Sequence, residues 1–128
     1  MSVVDASALV ALLDAGHPGH DRARRLLAEE TLVTTWGTLA EIATVARRLA
    51  KDAGRDGEPA SRSAIAGLRS LQGFREAPMV ALDKVASLHQ EERKLSFVDA
   101  WVLQVALETA QPIASFDADL LAAWRRRR

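Results

Sequence analysis

Cysteine is absent from the sequence, which excludes disulfide bonds and thiolate metal sites and is compatible with a reducing compartment. Long apolar runs are absent too, since the N-terminal run from Ala6 to Leu13 lies between Asp5 and Asp14 and is too short to cross a bilayer. The N-terminus has no basic lead of the kind that begins a signal peptide. We therefore expect a soluble cytoplasmic protein with no membrane-spanning segment.

The sequence also lacks an excess of either charge, because 17 Lys and Arg residues balance 17 Asp and Glu residues. The basic residues are nevertheless clustered, and such clusters can attract phosphate groups. Most surface arginines are only solvated, so the clusters alone do not establish nucleic-acid binding. The four arginines at residues 125–128 are typical of a basic, disordered tail. The other clusters are Arg22, Arg24 and Arg25, and then Arg47 and Arg48.

Strand and helix patterns alternate along the 128 residues, which are enough for one domain with a sizeable core. Short β-branched or apolar runs predict four strands, at residues 3–4, 32–35, 78–82 and 112–115. Alternation of this kind is typical of an α/β fold with a mostly parallel sheet and helices on both faces. We therefore predict a single domain over residues 1–128, with a central sheet of about four to five short strands.

Helical patterns fill the segments between these strands. The helix that begins near Phe97 is apolar on nearly every side, which indicates a central, buried helix. Residues 51–60 are polar and contain Gly54 and Gly57, so we predict a mobile loop there. Asp83 is expected to cap the helix after the third strand. The other predicted helices run from Ser7 to near Gly16, over residues 21–28, from about Thr38, over residues 61–71, and after Asp119.

Acidic residues follow the predicted strands at several points. Asp5 follows the first strand and Asp117 the fourth, so both should project from the carboxyl edge of the sheet, where open α/β sheets place their ligands. Glu41 lies about one turn into the helix after the second strand, and Asp99 lies at the start of the central helix. Structural roles are available as well, because Asp5 can cap a helix and Asp99 is spaced from Ser96 as in a capping box.

Four carboxylates that converge in one pocket repel one another and lose solvation. A divalent cation neutralises such a group, and ligands that are all oxygen favour Mg²⁺ or Mn²⁺. The acids therefore predict a metal site at the carboxyl edge. The three histidines show no ligand spacing, and we interpret His17 and His20 as loop residues and His89 as a helix-face residue.

Four short motifs occur in order along the chain: Val3-Val4-Asp5-Ala6-Ser7, Thr35 with Glu41 six residues later, Leu95-Ser96-Phe97-Val98-Asp99-Ala100, and Ile113-Ala114-Ser115-Phe116-Asp117-Ala118-Asp119. Their order and spacing resemble those of PIN-domain ribonucleases and, within that group, the VapC toxins of bacterial toxin–antitoxin pairs. The resemblance spans almost the whole chain. It implies a metal-dependent endoribonuclease that cleaves RNA, forms a homodimer and is held inactive by a VapB-like antitoxin encoded beside it.

Carried over by position, the resemblance assigns both metal binding and catalysis to Asp5, Glu41, Asp99 and Asp117. Asp117 and Asp119 compete for the fourth place, and we favour Asp117 because it follows the strand directly. Asp119 is then a helix cap or a group next to the ligands.

Three further residues are candidates for contact with the substrate. The resemblance places the hydroxyls of Ser7 and Ser115 near the metal or the scissile phosphate, with local capping as an equal alternative. Arg48 shares a helix face with Glu41, so it is either an RNA phosphate contact or a solvated side chain.

The chain departs from the family pattern at three positions. Trp36 replaces a common Pro, Leu120 replaces a common aromatic residue, and the chain ends at Arg128 where many relatives continue into one more short strand. These differences concern the sheet edge and the dimer surface and leave the acids unchanged. We interpret Trp36, Trp101 and Trp124 as core or interface residues rather than platforms for base stacking.

In the mechanism that the resemblance implies, one or two metal ions polarise the scissile phosphate and lower the pKa of a bound water that attacks in line. A catalytically inert PIN-like module that binds RNA or a protein partner is the alternative. A phosphoacceptor receiver domain is disfavoured, because the sequence has no acidic pair after the first strand and no Lys after the last.

Overall fold

The computed structural model describes residues 1–28, 31–77 and 79–128. Four short strands are present in this part of the chain, and all of them pair in parallel. They are β1 (Ser2–Val4), β2 (Leu32–Thr34), β3 (Phe74–Glu76) and β4 (Ile113–Ala114). The strand order is β3-β2-β1-β4, which confirms the predicted α/β fold with a parallel sheet.

Seven helices connect and cover these strands in the described residues. Most of them begin at a residue whose side chain accepts a hydrogen bond from a backbone N–H of the first turn: Asp5, Thr35, Asp56, Ser96 and Asp117 are such caps. The helices are α1 (Ala6–Leu13), α2 (His20–Leu27), α3 (Trp36–Asp52), α4 (Gly57–Arg69), α5 (Leu82–Glu91), α6 (Phe97–Thr109) and α7 (Ala118–Arg127).

Two hydrophobic layers lie on opposite faces of the sheet, because side chains alternate along each strand. Val3 and Ile113 pack with α5, α6 and α7 on one face. Val4 and Ala114 pack with α1, α2, α3 and α4 on the other face. The helices therefore cover both faces of the sheet, as the alternating sequence pattern predicts.

Helix α6 is the central helix of the first layer. Val102, Leu103 and Ala106 are completely buried, as the apolar sequence of this segment predicts. Helix α3 approaches it closely at Gly37, where an added Cβ atom would lie 2.8 Å from Cε3 of Trp101. This close contact brings the first turns of α3 and α6 together.

The third strand lies earlier in the chain than its predicted position. The prediction placed it at residues 78–82, whereas β3 spans Phe74–Glu76, and Pro78 itself lies outside the described residues. β3 is an edge strand, so its exposed Arg75 and Glu76 carry no apolar strand signal. The apolar run that follows contributes Val80 to the core and then enters α5.

The predicted loop over residues 51–60 is wrong for most of its length. Helix α3 continues to Asp52 and α4 begins at Gly57, which leaves residues 53–56 between them. A Cβ atom on Gly57 would lie 2.6 Å from Cγ of Arg47, so this glycine permits close packing of α4 on α3. The glycine signal therefore marks a close contact between helices.

The predicted basic tail is helical instead. Residues 125–127 form the last turn of α7. Arg126 lies 2.7 Å from Glu92, and Arg127 contacts both Glu91 and Glu92 at 2.7 and 2.8 Å. These ion pairs join the end of α7 to the end of α5, which explains why the charged segment is ordered.

Two smaller predictions, for Asp83 and His20, are wrong as well. Asp83 lies in the first turn of α5, but Ala81 occupies the cap position without a side-chain hydrogen bond. His20 is the first residue of α2 rather than a loop residue. No helix within the described residues has both the length and the apolar character needed to cross a membrane.

Candidate active site

The strand order creates a crevice between β1 and β4. From β1 the chain moves to β2 and β3 on one side and then returns to β4 on the other side of β1. In open α/β sheets such a reversal separates the loops at the carboxyl ends of the two strands and forms a ligand-binding crevice. Asp5 follows β1 at this position, and Ser115 follows β4.

Asp5 is buried, with 2% of its surface exposed, and its carboxylate is held by hydrogen bonds. The Ala8 N–H donates to Oδ1 at 3.2 Å, and the Ser115 hydroxyl donates to Oδ2 at 2.5 Å. The Ser7 hydroxyl lies 2.9 Å from both carboxylate oxygens and donates to them. Burial raises the pKa of Asp5, these hydrogen bonds oppose the increase, and the charge of Asp117 adds to it.

The two serines link the loops that follow β1 and β4. Ser115 Oγ accepts a 2.8 Å hydrogen bond from the Asp117 N–H, and Ser7 Oγ accepts one of 3.2 Å from the Phe116 N–H. Each hydroxyl therefore contacts the Asp5 carboxylate and one backbone group of the loop after β4. Ser115 therefore makes the local contact that one alternative predicts, and its place near a metal or phosphate stays a prediction.

Glu41 and Asp99 face the same crevice from α3 and α6. Both side chains are partly buried, and burial is the main cause of the raised pKa of each. The charges of Asp99 and Asp5 raise the pKa of Glu41 further. The pKa of Asp99 is lowered by hydrogen bonds with Ser96 and raised by the charges of Asp117 and Asp5.

Asp117 and Asp119 occupy different environments. Asp117 caps α7, with Oδ1 accepting from the N–H groups of Asp119 at 2.9 Å and Leu120 at 3.3 Å. Its charge acts on both Asp5 and Asp99. Asp119 lies in the first turn of α7 with its side chain exposed. Electrostatic interactions thus link Asp5 and Asp99 to each other, to Asp117 and to Glu41, whereas none is resolved between Glu41 and Asp117 in the described residues.

The donor chemistry of these four residues fits a hard divalent cation. All their side-chain donors are carboxylate oxygens, and the charges of Asp5, Asp99 and Asp117 disfavour ionisation of neighbouring acids, which a cation would relieve. Within the described ranges, no three acidic or histidine side chains converge closely enough to hold a metal ion by themselves. An ion bound here would therefore complete its coordination with water or phosphate oxygens, as Mg²⁺ usually does.

Arg48 and the histidines are not brought into this cluster. Helix α3 begins at the carboxyl edge and runs away from it, so Arg48 lies roughly 10 Å farther along the axis than Glu41. Nδ1 of His20 lies 2.9 Å from the Ala11 carbonyl oxygen, and the His89 ring packs edge-on against Phe97. In the described part of the chain, none of these three residues has a hydrogen bond to the four acids.

The sequence analysis missed two features near the site. Trp36 is 56% exposed, so it is not a core residue, and its alternative role as an interface residue stays a prediction. The Phe116 ring lies beneath the Arg22 guanidinium, whose Cζ is 4.7 Å from the ring centroid. Because Phe116 lies between Ser115 and Asp117 in the sequence, its place near the site could have been predicted. No pattern in the sequence indicated that Arg22 lies beside it.

Comparisons with known proteins identify the family. The model of the PIN domain family matches residues 2–124. No curated protein matches the sequence at a significant level. Seven chains of solved structures do match, among them the crystal structure of VapC20 from Mycobacterium tuberculosis, which is described as a toxin that cleaves the sarcin–ricin loop.

The similarity to VapC20 extends over both chains. VapC20 is 28% identical in sequence to the present protein, and the two structures superpose with a TM-score of 0.76. The match covers 96% of this chain and 95% of the VapC20 chain. The parallel sheet with helices on both faces is the architecture that the sequence analysis predicts. The chain therefore belongs to the PIN domain family, and its similarity to VapC20 confirms the resemblance to VapC toxins.

Proposed function

We propose that the protein is an endoribonuclease toxin of the VapC type that hydrolyses RNA phosphodiester bonds with Mg²⁺ or Mn²⁺. The observation that carries the proposal is the cluster of four carboxylates at the reversal of the sheet, three of which have a raised pKa. Buried like charges at a ligand-binding crevice are typical of functional sites. Membership of the PIN domain family supports the same conclusion.

In this proposal Asp5, Glu41, Asp99 and Asp117 would surround the metal, some of them through bound water. When bound, such an ion polarises the scissile phosphate and lowers the pKa of a bound water. Asp5 is fixed by its three hydrogen-bond donors, so its carboxylate presents a defined orientation to a cation. Asp99 lies in the first turn of α6, where the helix dipole favours the ionised carboxylate.

In this mechanism Ser115 links the loop after β1 to the loop after β4. Its hydroxyl donates to Asp5 and accepts from the backbone N–H of Asp117. The contact keeps the carboxylates after β1 and β4 in register, so that both can act on one ion. Ser7 supports the same arrangement through its bond with the Phe116 N–H.

The partners follow from the similarity to VapC20. That protein is described as a toxin that cleaves the sarcin–ricin loop, so we propose RNA as the substrate class here. A VapB-like antitoxin is the proposed inhibitor, and a homodimer is the proposed assembly. An RNA substrate also makes the cytoplasm the proposed place of action.

The test is RNA cleavage by the purified protein with and without Mg²⁺ or Mn²⁺. Asp99→Asn should abolish metal-dependent cleavage, at least a 100-fold loss by analogy with about 2.7 kcal/mol of lost transition-state stabilisation. Asp83→Asn is the matched control, because Asp83 lies in the first turn of α5 and is exposed. Its cleavage rate should equal that of the wild type.

Cleavage that persists in Asp99→Asn would refute the assignment of this acid. A wild-type protein that binds RNA or a protein partner but cuts no RNA in either metal would favour the inert PIN-like module instead. Metal binding measured by calorimetry on the same variants separates loss of the ion from loss of chemistry.

The competition between Asp117 and Asp119 gives a second prediction. Asp117→Asn should weaken Mg²⁺ binding and cleavage, because its charge acts on Asp5 and Asp99. Asp119→Asn should leave both nearly unchanged, because its side chain is exposed in the first turn of α7. Calorimetric titration of both variants with Mg²⁺ decides the assignment, and equal losses in the two variants would contradict it.

A further inference from the structure

A basic cleft lies beside the acid cluster, between α2 and α7 at the edge strand β4. Its volume is about 530 Å³, and its walls include Arg22, Arg25 and Leu26 from α2 and Arg125 from α7. Ser115 and Phe116 form the side nearest the four carboxylates. Two basic clusters that are about 100 residues apart in sequence are therefore adjacent in the folded protein.

The three arginines of this cleft differ in their ion pairing from the arginines that follow them on α7. Within the described residues, no carboxylate lies at ion-pair distance from Arg22, Arg25 or Arg125. The next two arginines of α7 behave differently, since Arg126 and Arg127 are paired with glutamates at the end of α5. Arg125 is thus outside this ion-pair network, and it lines the cleft together with the two arginines of α2.

Phe116 holds one of these cations in place. The Arg22 guanidinium lies over one side of the ring, with Cζ 4.7 Å from the centroid. The ring also lies close to Gly19, where an added Cβ atom would be 3.4 Å from Cε2 of Phe116. Phe116 is thus occupied as a support for Arg22, so the cleft offers guanidinium groups rather than a free face for base stacking.

The cleft and the acid cluster share a wall. Ser115 lines the cleft and donates a 2.5 Å hydrogen bond to Asp5 Oδ2. The backbone N–H of Phe116, the other shared residue, binds Ser7 Oγ. Ser115 and Phe116 therefore connect the cleft to the site of Asp5.

We propose that this cleft binds the backbone phosphate next to the scissile phosphate of the RNA substrate, through Arg22, Arg25 and Arg125. The inference rests on the proposed endoribonuclease function, for which it names a substrate-positioning site. A site made of carboxylates repels a polyanion, and cations at its border restore attraction. Guanidinium groups bind phosphate through paired N–H donors, and such backbone contacts carry no base specificity.

The test compares two triple variants with the same change of charge. The first, Arg22→Gln/Arg25→Gln/Arg125→Gln, removes the cations of the cleft. The second, Arg24→Gln/Arg55→Gln/Arg62→Gln, removes three exposed arginines that do not line it. Equilibrium binding to single-stranded RNAs of different sequence is measured without divalent metal over a range of salt concentrations, and thermal unfolding confirms that both variants fold.

The cleft variant should bind every RNA roughly tenfold to 100-fold more weakly at about 0.1 M salt and approach the wild type at high salt. The slope of log affinity against log salt should become shallower by about 0.7, the value for one lost contact with a single-strand phosphate. In cleavage assays KM should rise while kcat changes little, because the contact is present in both ground and transition states. The control variant should show much smaller changes in both affinity and slope.

Equal affinity and slope in the two triple variants would overturn the proposal, and would leave the cleft to another ligand such as an acidic polypeptide. The outcome is separable from the nuclease function. Loss of RNA affinity in the cleft variant of a protein that cuts no RNA would support the cleft and refute the nuclease. Metal-dependent cleavage with an unchanged KM in the cleft variant would support the nuclease and refute the role of the cleft.

Discussion

Asp5 combines two roles that look like alternatives in the sequence. Its Oδ1 accepts a hydrogen bond from the Ala8 N–H and so caps α1, which is the structural role that the sequence predicts. The same carboxylate accepts the hydroxyls of Ser7 and Ser115 and lies within electrostatic reach of Asp117. A cap fixes the carboxylate relative to the strand end, so the structural role prepares the proposed functional one.

In the described part of the chain, the Glu41 carboxylate has no hydrogen bond or ion pair, so its effect on stability should depend on pH in a simple way. Its folded pKa lies above its ordinary value of 4.5, because burial and the charges of Asp99 and Asp5 disfavour its ionised form. The folded state therefore holds this proton more tightly than the unfolded chain does. The resulting stabilisation is complete below the unfolded pKa and is lost as pH rises through the folded pKa.

Without divalent metal, Glu41→Gln should therefore be more stable than the wild type at neutral pH and nearly equal to it at acidic pH. Urea unfolding in EDTA at the two pH values measures the difference. Glu58→Gln is the control, because Glu58 is exposed on α4 and its removal should give no gain that depends on pH in this way. A gain of the same size at both pH values would contradict the electrostatic explanation.

At the scale of elements, the contact between α3 and α6 determines how Glu41 lies relative to Asp99. Gly37 permits this contact, since a Cβ atom there would lie 2.8 Å from Trp101 Cε3. The ring is part of a packed layer and has little freedom to move. An added methyl group must therefore separate the two helices.

Gly37→Ala should destabilise the protein by roughly 1–3 kcal/mol despite the better helix propensity of alanine. It should also lower RNA cleavage, because the two acids move apart. Gly67→Ala in α4 is the matched control: no atom lies within 4 Å of its added Cβ, and it should stabilise by roughly 0.5–1 kcal/mol. Chemical denaturation of both variants tests the pair, and two changes of the same sign would show that the close contact is unimportant.

The third strand illustrates how far element prediction reaches. β1 and β4 are buried and apolar, so their composition identifies them. β3 is an edge strand with exposed Arg75 and Glu76, and its pairing with β2 is the reason it is a strand. Local strand propensity does not depend on that pairing. The prediction therefore placed the third strand in the apolar run that follows β3.

At the scale of the whole molecule, the acid cluster makes stability depend on metal. Burial and the charges of neighbouring carboxylates raise the pKa of Asp5, Glu41 and Asp99, so the metal-free fold carries a repulsion that a bound cation would relieve. A ligand that binds only the folded state stabilises it by mass action. The proposed site thus couples ion binding to the unfolding temperature.

Saturating Mg²⁺ should raise the melting temperature of the wild type, corresponding to about 2.7 kcal/mol at 100 times the dissociation constant. Asp99→Asn should lose most of this increase, whereas Asp83→Asn should retain it. Differential scanning fluorimetry with a magnesium titration, and with Ca²⁺ for comparison, measures the shift. An identical shift in both variants would mean that Mg²⁺ acts elsewhere on the protein.

Local sequence patterns were enough to predict the alternation of strands and helices, the caps at Asp5 and Ser96, and the placement of Asp5 and Asp117 after strands. These features depend on interactions within a few residues, which local patterns record. The same patterns, read as motifs, were sufficient to identify the PIN domain family.

Only the tertiary structure decided which distant segments meet. It paired β3 with β2, exposed Trp36, ordered the C-terminal arginines on the glutamates of α5, and placed Arg125 beside Arg22. Each of these outcomes depends on the order of strands and on the packing of helices over the sheet. Such contacts join residues that are remote in sequence, so no local pattern encodes them.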